Sequence, residues 1–427
     1  METSMGRIFA ITLALAGLPL VVGAGQEVAH AATAYTFTRI DLPLPGVTIL
    51  SGFDAASPAI NNRGQMVGTY HDAAGSHGFL LDRGAFTSID APGATITDWD
   101  GTLATTTWLT GINDFGQMVG SYEDATGSHG FLLDGGTFTP IDAPGASTTY
   151  LLDINNSGQI LGTYYDATGS HGFLLAAGTF TSLDPLGVSD PTGINDRGQI
   201  VGRYQLNTNF LIDGTTVRFF SVPGPLGWAD FQVPMDINND GQIAGWVHND
   251  FLWYWIPGTP CCRHGFVMDS VDADTYTMLD YLSADTYVTG INDRGQIVGV
   301  GPDGLFVASP APETVPIDIK PGTFPNPINL RSAGTVPVAI LSTPTFDAQQ
   351  VNPETVTLAG ASVKRTGKRD RYSCSVGDVN GDGLPDLLCH VVTAQFALQP
   401  GESVAVLEAT TFGGQAIRGG DSIQIVP

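Results

Sequence analysis

The sequence predicts an all-β protein in which a six-bladed β-propeller, closed by an N-terminal strand, is followed by a small β-sandwich. Three observations predict this: a turn-rich composition, a core motif that recurs six times, and a lone N-terminal strand that matches the strand missing from the last repeat. The chain has 427 residues with 54 Gly and 27 Pro, and Thr, Asp and Asn separate its short apolar runs. That composition is typical of strands joined by many turns.

The core motif I-N-x-x-G-Q-[IM] sets the length of the repeat. Its isoleucines follow at intervals of 40 to 54 residues and are Ile60, Ile112, Ile154, Ile194, Ile237 and Ile291. The surrounding sequence is nearly constant. The segment that starts at Gly75 is GSHGFLLDRGAFTSIDAPG, and the segment that starts at Gly127 is GSHGFLLDGGTFTPIDAPG. A period of this length with only strand signals predicts four-stranded propeller blades.

One repeat contains four strands, named A to D. Strand A ends in TGIN, the turn N-D-x-G-Q follows, and strands B, C and D resemble GQIVGSY, HGFLLD and FTPID. Asn and Gly supply the backbone conformations that the tight A–B hairpin requires. Strands B and C are apolar on both faces, which predicts that each sheet packs between two neighbouring sheets.

The two ends of the repeat array complement each other. The last repeat, YVTGINDRGQIVGVGPDGLFVAS, stops after strand C, whereas YTFTRID from Tyr35 reads as a lone strand D. We therefore expect the N-terminal strand to complete the last blade and close a ring over residues 32–309. Closure hides two sheet edges that would otherwise pair with other chains.

The N-terminus and the charge indicate where the protein works. Residues 1–31 read as a signal peptide, with an apolar run after Arg7 and a small-x-small site, AHA, at 29–31. We expect a secreted protein, extracellular or periplasmic, with no membrane span in its mature form. The formal net charge of −25, with only 17 basic residues, disfavours nucleic acid as a partner and favours cations.

Four cysteines fit an oxidising compartment and allow three pairings. Two are adjacent at 261–262, whereas Cys374 and Cys389 flank one loop. We favour a Cys374–Cys389 disulfide, which would stabilise by about 3 kcal/mol on the chain-entropy estimate. The alternative is a Cys2His2 zinc site that uses His264 and His390, although no C-x-x-C spacing supports it.

Histidines open strand C and aspartates close strand D in most repeats. The histidines are His77, His129, His171 and His264, and the aspartates are Asp90, Asp142, Asp184 and Asp280. A His–Asp or His–backbone hydrogen bond between the strands explains both residues, so we interpret these histidines as structural. A repeated metal or catalytic histidine is the alternative, which the fourth and sixth repeats weaken because Asn209 and Gly304 stand before their strand-C apolar runs.

The consensus GINDxGQIVG…HGFLLDxGxFTxID resembles the extracellular His-Ala-Phe (HAF) repeat proteins of bacteria, with Gly in place of the central Ala. The resemblance covers residues 35–309 and recurs in most repeats. It implies a secreted repeat protein of propeller type and no particular activity.

The connections between strands D and A are where we expect a ligand, because variable loops on a rigid frame usually bind. They range from APGASTTY to APGATITDWDGTLATTTW, whereas the A–B turns are nearly constant. Flat aromatic rings can stack on sugars, and the alternative is that they only pack the blade tops. The candidate ligand-binding residues are the tryptophans on this side, Trp99, Trp108, Trp228, Trp246, Trp253 and Trp255.

Beyond the repeats, residues 310–316 read as a proline-rich linker and residues 317–427 as the short strands of a β-sandwich. The text IDIKPG…PVAILST…DVNGDGLPDL…GDSIQIV resembles a C-terminal module common on secreted bacterial and archaeal proteins. That resemblance implies an accessory role.

The loop DVNGDGLPD at 378–386 has the spacing of calcium ligands, which are hard oxygen donors. Cys389 replaces the glutamate of an EF-hand at position twelve, and DINNDGQIA at 236–244 matches the first six letters in an ordinary A–B turn. We expect a structural calcium ion, with a metal-free double turn as the alternative. Its ligands would be Asp378, Asn380, Asp382, the carbonyl of Leu384 and Asp386.

The sequence contains no GxSxG, HExxH or GxxxxGK[ST] motif. We therefore expect a non-enzymatic protein that binds a glycan or an extracellular protein through its loop face. One alternative is an extracellular polysaccharide hydrolase or lyase that uses the same face. The other is a purely structural cell-surface protein.

Overall fold

The computed structural model of the chain describes most residues between 35 and 426. Outside the described residues lie 1–34, 45, 50–56, 98–102, 206–207, 223–230, 249–262, 273–274, 284, 368–370, 400 and 427. The signal peptide prediction falls there, as do Trp99, Trp228, Trp253, Trp255, Cys261 and Cys262. The described residues contain many strands and no α-helix, which confirms the all-β prediction.

The first three repeats form blades 1 to 3, of which blades 1 and 2 are joined into one sheet where Gly75 and Ser76 pair in parallel with Thr105 and Thr106. The chain starts with β1 (Tyr35–Arg39) and β2 (Thr48–Ile49). Blade 1 consists of β3 (Ala59–Ile60), β4 (Met66–Asp72), β5 (Gly75–Asp82) and β6 (Ala85–Ile89). After β7 (Thr95–Thr97), blade 2 consists of β8 (Leu103–Ile112), β9 (Met118–Asp124), β10 (Gly127–Asp134) and β11 (Thr137–Ile141). Blade 3 consists of β12 (Thr148–Ile154), β13 (Ile160–Asp166), β14 (Gly169–Ala176) and β15 (Thr179–Ser182).

The next three repeats form blades 4 to 6. Blade 4 consists of β16 (Asp190–Ile194), β17 (Ile200–Gln205), β18 (Thr208–Asp213) and β19 (Thr216–Phe220). Blade 5 consists of β20 (Phe231–Ile237), β21 (Ile243–His248), β22 (Arg263–Met268) and β23 (Tyr276–Leu279). Blade 6 consists of β24 (Tyr287–Ile291), β25 (Ile297–Gly301), β26 (Gly304–Pro310) and, as its fourth strand, β1. Antiparallel pairing sets Tyr35 opposite Pro310 and Arg39 opposite Phe306.

A glycine in strand B makes room for a phenylalanine in strand C of the same blade. A Cβ atom added to Gly162 would lie 2.4 Å from the ring of Phe173, and one added to Gly202 would lie 2.4 Å from the ring of Phe210. These rings form the blade cores, and all are at most 1% exposed: Phe79, Phe131, Phe173, Phe210, Phe266 and Phe306. The constant G and F of the repeat are therefore packing residues.

Asparagine side chains in the A–B turns join the blades in a closed circle. Each Nδ2 donates to the backbone carbonyl of the equivalent asparagine in the next blade, over 2.9 to 3.2 Å. The circle runs through Asn61, Asn113, Asn155, Asn195, Asn238 and Asn292 and returns to Asn61. The blades thus surround one axis with their A strands innermost, which is the architecture of a β-propeller.

The C-terminal module is a sandwich of two sheets over one apolar core. The strands are β27 (Glu313–Thr314), β28 (Ile317–Ile319), β29 (Asn326–Asn329), β30 (Thr335–Ile340), β31 (Thr357–Leu358), β32 (Ala361–Ser362), β33 (Arg365–Thr366), β34 (Arg371–Tyr372), β35 (Cys374–Gly377), β36 (Asp386–Val392), β37 (Val404–Thr410) and β38 (Ala416–Val426). One sheet has the order β27-β38-β37-β31-β32, and β29 also pairs with β38. The other sheet has the order β28-β30-β36-β35, and β33 and β34 form a separate hairpin.

The predicted linker at 310–316 is not a free tether, and that prediction is corrected. Its β27 pairs in parallel with β38, and Val315 is 2% exposed within the core of the sandwich. Short 3-10 turns lie at Asp184–Leu186, Tyr281–Ser283, Ala348–Gln350 and Thr393–Gln395. Among the described residues, no helix has the length and apolarity that crossing a bilayer requires.

Candidate functional site

The propeller has two different ends. The A–B and C–D turns lie at one end, called the turn face, and the B–C turns and D–A connections lie at the other, called the loop face. Sequence constancy of the A–B turns predicts a scaffold at the turn face. The contacts of the two faces differ accordingly.

The turn face carries a second ring in which asparagine and aspartate alternate. Asn156, for example, donates from Nδ2 to Asp114 and to Asp196, each over 2.9 Å. Each backbone N–H of the ring also donates to Oδ1 of the next member over 2.7 to 2.8 Å. The members are Asn62, Asp114, Asn156, Asp196, Asn239 and Asp293. These groups satisfy one another, so the ring fixes the turns.

Two aspartates lie inside the axial cavity behind this ring, which has a volume of about 70 Å³. The carboxyl group of Asp153 accepts from the N–H of Ile154 (2.7 Å) and of Ile194 (2.9 Å). Burial and, to a smaller extent, the charge of the nearby Asp236 raise the pKa of Asp153 to about 8. Burial likewise raises the pKa of Asp236 to about 6.

The histidines of blades 1 to 3 each lie between two polar partners on the loop face. His171 Nδ1 lies 2.5 Å from Asp184 and its Nε2 3.1 Å from Asp166. The hydrogen bond to Asp184 raises the pKa of His171. The predicted His–Asp contact occurs at all four histidines: His77–Asp90 (2.8 Å), His129–Asp142 (3.1 Å), His171–Asp184 (2.5 Å) and His264–Asp280 (2.6 Å).

A tyrosine of strand B covers each of the first three histidines. Tyr70, Tyr122 and Tyr164 stack on His77, His129 and His171 with ring centroids 5.1, 5.3 and 4.9 Å apart. The histidine nitrogens are occupied by carboxylates and hydroxyls, and the ring faces are occupied by tyrosine. This arrangement joins strands B, C and D and supports the structural interpretation.

Blade 4 departs from this pattern and exposes its aromatic rings. Thr208 stands where blades 1 to 3 have the histidine, and the equivalent tyrosine, Tyr204, lies against Phe219 with ring centroids 4.8 Å apart. Tyr204 is 45% and Phe219 is 54% exposed. Phe219 takes the place that Ser182 has in blade 3, opposite the core phenylalanine. Tyr204 and Phe219, here called the blade 4 aromatic pair, lie where their strands end at the loop face.

Of the two described tryptophans, one is buried and its prediction is corrected. Trp246 is 1% exposed, with its ring between Phe231 (5.8 Å) and Tyr287 (5.4 Å), so it packs blade 5 against blade 6. Its ring face is therefore not available for stacking on a ligand. Trp108 is partly exposed in β8, opposite Ser121, and stays a candidate.

Two arginines pack on the rings that neighbour Trp246 and extend the aromatic contacts across blades 4 to 6. Arg203 lies over the ring of Phe231 (5.2 Å), and Arg263 lies over the ring of Tyr287 (5.1 Å). Arg203 Nε donates to Asp190 over 2.7 Å, and Arg263 Nη1 donates to Asp285 over 3.3 Å. The blade 4–6 sector of the loop face therefore combines exposed rings with paired charges. It consists of Asp190, Arg203, Tyr204, Phe219, Phe231, Arg263, Asp285 and Tyr287.

Sequence reasoning missed the blade 4 aromatic pair and the ring of alternating asparagine and aspartate on the turn face. Both were readable from a position-by-position comparison of the repeats. Phe219 stands where another repeat has Ser182, and Asp114 alternates with Asn156 directly after the constant asparagine. Departures from a repeat mark residues that the shared frame does not require.

The predicted calcium loop is folded around its own backbone. Asp378 accepts from the N–H groups of Gly381 (2.7 Å), Asp382 (3.1 Å) and Gly383 (3.0 Å). Asp386 is 0% exposed and accepts from Ser342 (2.8 Å) and Val379 (2.8 Å).

The donor set of this loop fits calcium in part. Asp378, Asn380 and Asp382 are exposed oxygen donors, whereas Asp386 is buried and anchors the loop to the sandwich. Among the described residues, no three His, Cys, Asp or Glu side chains lie close enough together to hold a metal ion. The residues that would hold calcium are therefore the three exposed ones.

The disulfide favoured by the sequence is present in the sandwich. Cys374 and Cys389 lie opposite each other in β35 and β36, with their sulfurs 2.07 Å apart. These two sulfurs are not available as zinc ligands. The zinc alternative thus loses two of its possible ligands.

Comparison with known proteins gives little beyond the fold. No protein family model and no curated protein matches the chain. A solved structure titled "Streptogramin B lyase structure" is similar over 65% of this chain and 98% of that chain, with 14% identity and a TM-score of 0.36. No activity is transferred from this similarity. The resemblance to HAF repeat proteins stays a prediction.

Proposed function

We propose that the chain is a secreted, non-enzymatic β-propeller that binds a glycan through the blade 4–6 sector of its loop face, with a C-terminal module stiffened by calcium. The observation that carries the proposal is the blade 4 aromatic pair. Tyr204 and Phe219 present two adjacent exposed rings where other blades cover the tyrosine with histidine.

The neighbouring groups suit a neutral sugar. Aromatic rings stack on the apolar face of a sugar ring, and paired carboxylate and guanidinium groups exchange hydrogen bonds with its hydroxyls. Arg203 and Arg263 are each paired with an aspartate, and the chain has a formal net charge of −25. An anionic ligand would meet repulsion without a free cation in this sector, so a neutral glycan is favoured.

A glycan array followed by calorimetry tests this. We expect the purified protein to bind a neutral oligosaccharide, and we expect Tyr204→Ala and Phe219→Ala each to raise Kd about tenfold, equivalent to about 1.4 kcal/mol of lost stacking. Both side chains are exposed, so the variants should fold normally.

Phe115→Ala is the matched control. Phe115 is also an exposed phenylalanine (68%), but it lies in the A–B turn of blade 2 on the turn face. Its variant should bind like the unaltered protein. Equal affinity of all three variants would contradict the proposed site, and cleavage of the bound oligosaccharide would contradict the non-enzymatic part.

The calcium proposal has its own test. We expect calorimetry to show saturable binding of Ca²⁺ that Asp382→Ala abolishes, because it removes one of the three exposed donors. Asp240→Ala is the control, since Asp240 has the same place in the similar text DINNDGQIA of blade 5. Absence of binding heat in the unaltered protein would contradict the proposal.

A further inference from the structure

The residue before the motif isoleucine is small in four blades and acidic in two. The series, in blade order, is Ala59, Gly111, Asp153, Gly193, Asp236 and Gly290. A Cβ atom added to Gly111 would lie 3.0 Å from the Cα of Asp153, and one added to Gly193 would lie 2.7 Å from the Cα of Asp236. These two glycines therefore make room for the aspartate of the following blade.

Each of these aspartates holds two blades together. Asp153 of blade 3 accepts from the N–H of Ile194 in blade 4, and Asp236 of blade 5 accepts from the N–H of Ile291 in blade 6 (2.8 Å). The third equivalent place, in blade 1, has Ala59 and no carboxyl group.

The surroundings of the pair are acidic. No Lys, Arg or His is among the described residues that line the axial cavity. The titratable groups that line it with the pair are the ring aspartates Asp114, Asp196 and Asp293. Asp153 and Asp236 are half-buried, and a negative charge on either lies in the axial cavity without a cation and beside other carboxylates.

We propose that Asp153 and Asp236 make the stability of the closed ring of blades depend on pH. The ring is more stable when the two carboxyl groups are protonated and less stable when both are ionised. The neutral form is favoured because both carboxyl groups line a cavity that contains three further aspartates and no cation among its described lining residues.

The sign of the pH dependence follows from linkage. Burial raises the pKa of both groups, so the folded chain keeps protons that the unfolded chain releases. The contribution of the pair to stability is therefore fully present below about pH 4, the ordinary range of a carboxyl group, and is lost as the pH rises towards about 8. The raised pKa of His171 acts in the same direction, but it is common to all variants below and cancels in their comparison.

Thermal unfolding between about pH 4 and about pH 9 tests the proposal. In the unaltered protein Tm should fall across this range, whereas Asp153→Asn/Asp236→Asn should flatten the profile and raise Tm at the alkaline end by roughly 5 °C or more. Asp240→Asn removes one exposed charge from an A–B turn and should follow the unaltered profile. A double variant that runs parallel to the unaltered protein, or below it at alkaline pH, overturns the proposal.

Two further measurements do not depend on that variant. Ala59→Asp adds the third carboxyl group and should steepen the decline of Tm with pH. Hydrogen exchange of the Ile194 and Ile291 amides in the unaltered protein, corrected for its intrinsic pH dependence, should accelerate at least tenfold between pH of about 5 and about 8. Unchanged protection of both amides across this range also overturns the proposal.

Discussion

Replacing Asn155 with alanine is expected to lower the free energy of unfolding by about 4 kcal/mol, because it opens the circle that joins the blades. Asn155 is 4% exposed. Its Nδ2 donates to Gln159 (2.7 Å) and to the carbonyl of Asn195 (2.9 Å), and its Oδ1 accepts from the N–H groups of Ser157 (3.1 Å) and Gln159 (3.0 Å). Alanine leaves these backbone groups without the side-chain partner, and a buried unmet group costs about 1–3 kcal/mol.

Urea unfolding measures this loss, with the slope of the transition as a check on two-state behaviour. Ser157→Ala is the control in the same turn, since the Ser157 side chain is exposed and should change stability by less than about 0.5 kcal/mol. A loss below about 1 kcal/mol for Asn155→Ala would show that the circle is dispensable.

Most of the fold was predictable because every repeat carries the same local sequence signals. The turn chemistry of N-D-x-G-Q and the apolar strands on either side are local signals, and the lone YTFTRID strand predicted which sheet would receive it. Pairing of Phe37 with Ala308 is the observed result. The His–Asp contacts were predictable for the same reason. The histidine begins strand C and the aspartate ends strand D, so the two residues are adjacent in the antiparallel hairpin.

What could not be predicted depends on contacts between blades. Trp246 looked like a loop-face ring because of its place at the end of strand B. It is buried by Phe231 and Tyr287, which come from different blades, and no local pattern shows that packing. The proline-rich segment before Ile317 read as a linker because its strand partner, β38, lies about a hundred residues later in the chain.

The properties of Asp153 and Asp236 could not be predicted from the sequence for the same reason. Asp153 reads as an ordinary polar substitution for glycine in the TGIN text. Only the ring places it in a cavity beside Asp236, where burial raises the pKa of both. A residue of this kind acquires its chemistry from closure of the ring and not from its neighbours in sequence.

Deleting residues 35–39 is expected to cost about 5 kcal/mol and to make the protein associate, because the deletion removes the outer strand of blade 6. All five residues of β1 pair with β26. Phe37 also packs on Tyr281 and on Phe306, with ring centroids 5.4 Å apart in each case. Without β1, the backbone of Gly304–Pro310 becomes an unpaired edge that can recruit another chain.

The closing strand also allows a test by complementation, since β1 is connected to blade 6 only by pairing and packing. Adding a peptide with the text YTFTRI to the truncated protein should restore the urea midpoint and the monomeric elution volume in a saturable manner. The same peptide with Asp in place of its phenylalanine should fail, because it would bury a charge between Tyr281 and Phe306. A truncated protein that stays monomeric with an unchanged midpoint would contradict a role for β1 in closure. Rescue by both peptides would show that backbone pairing alone seals the ring.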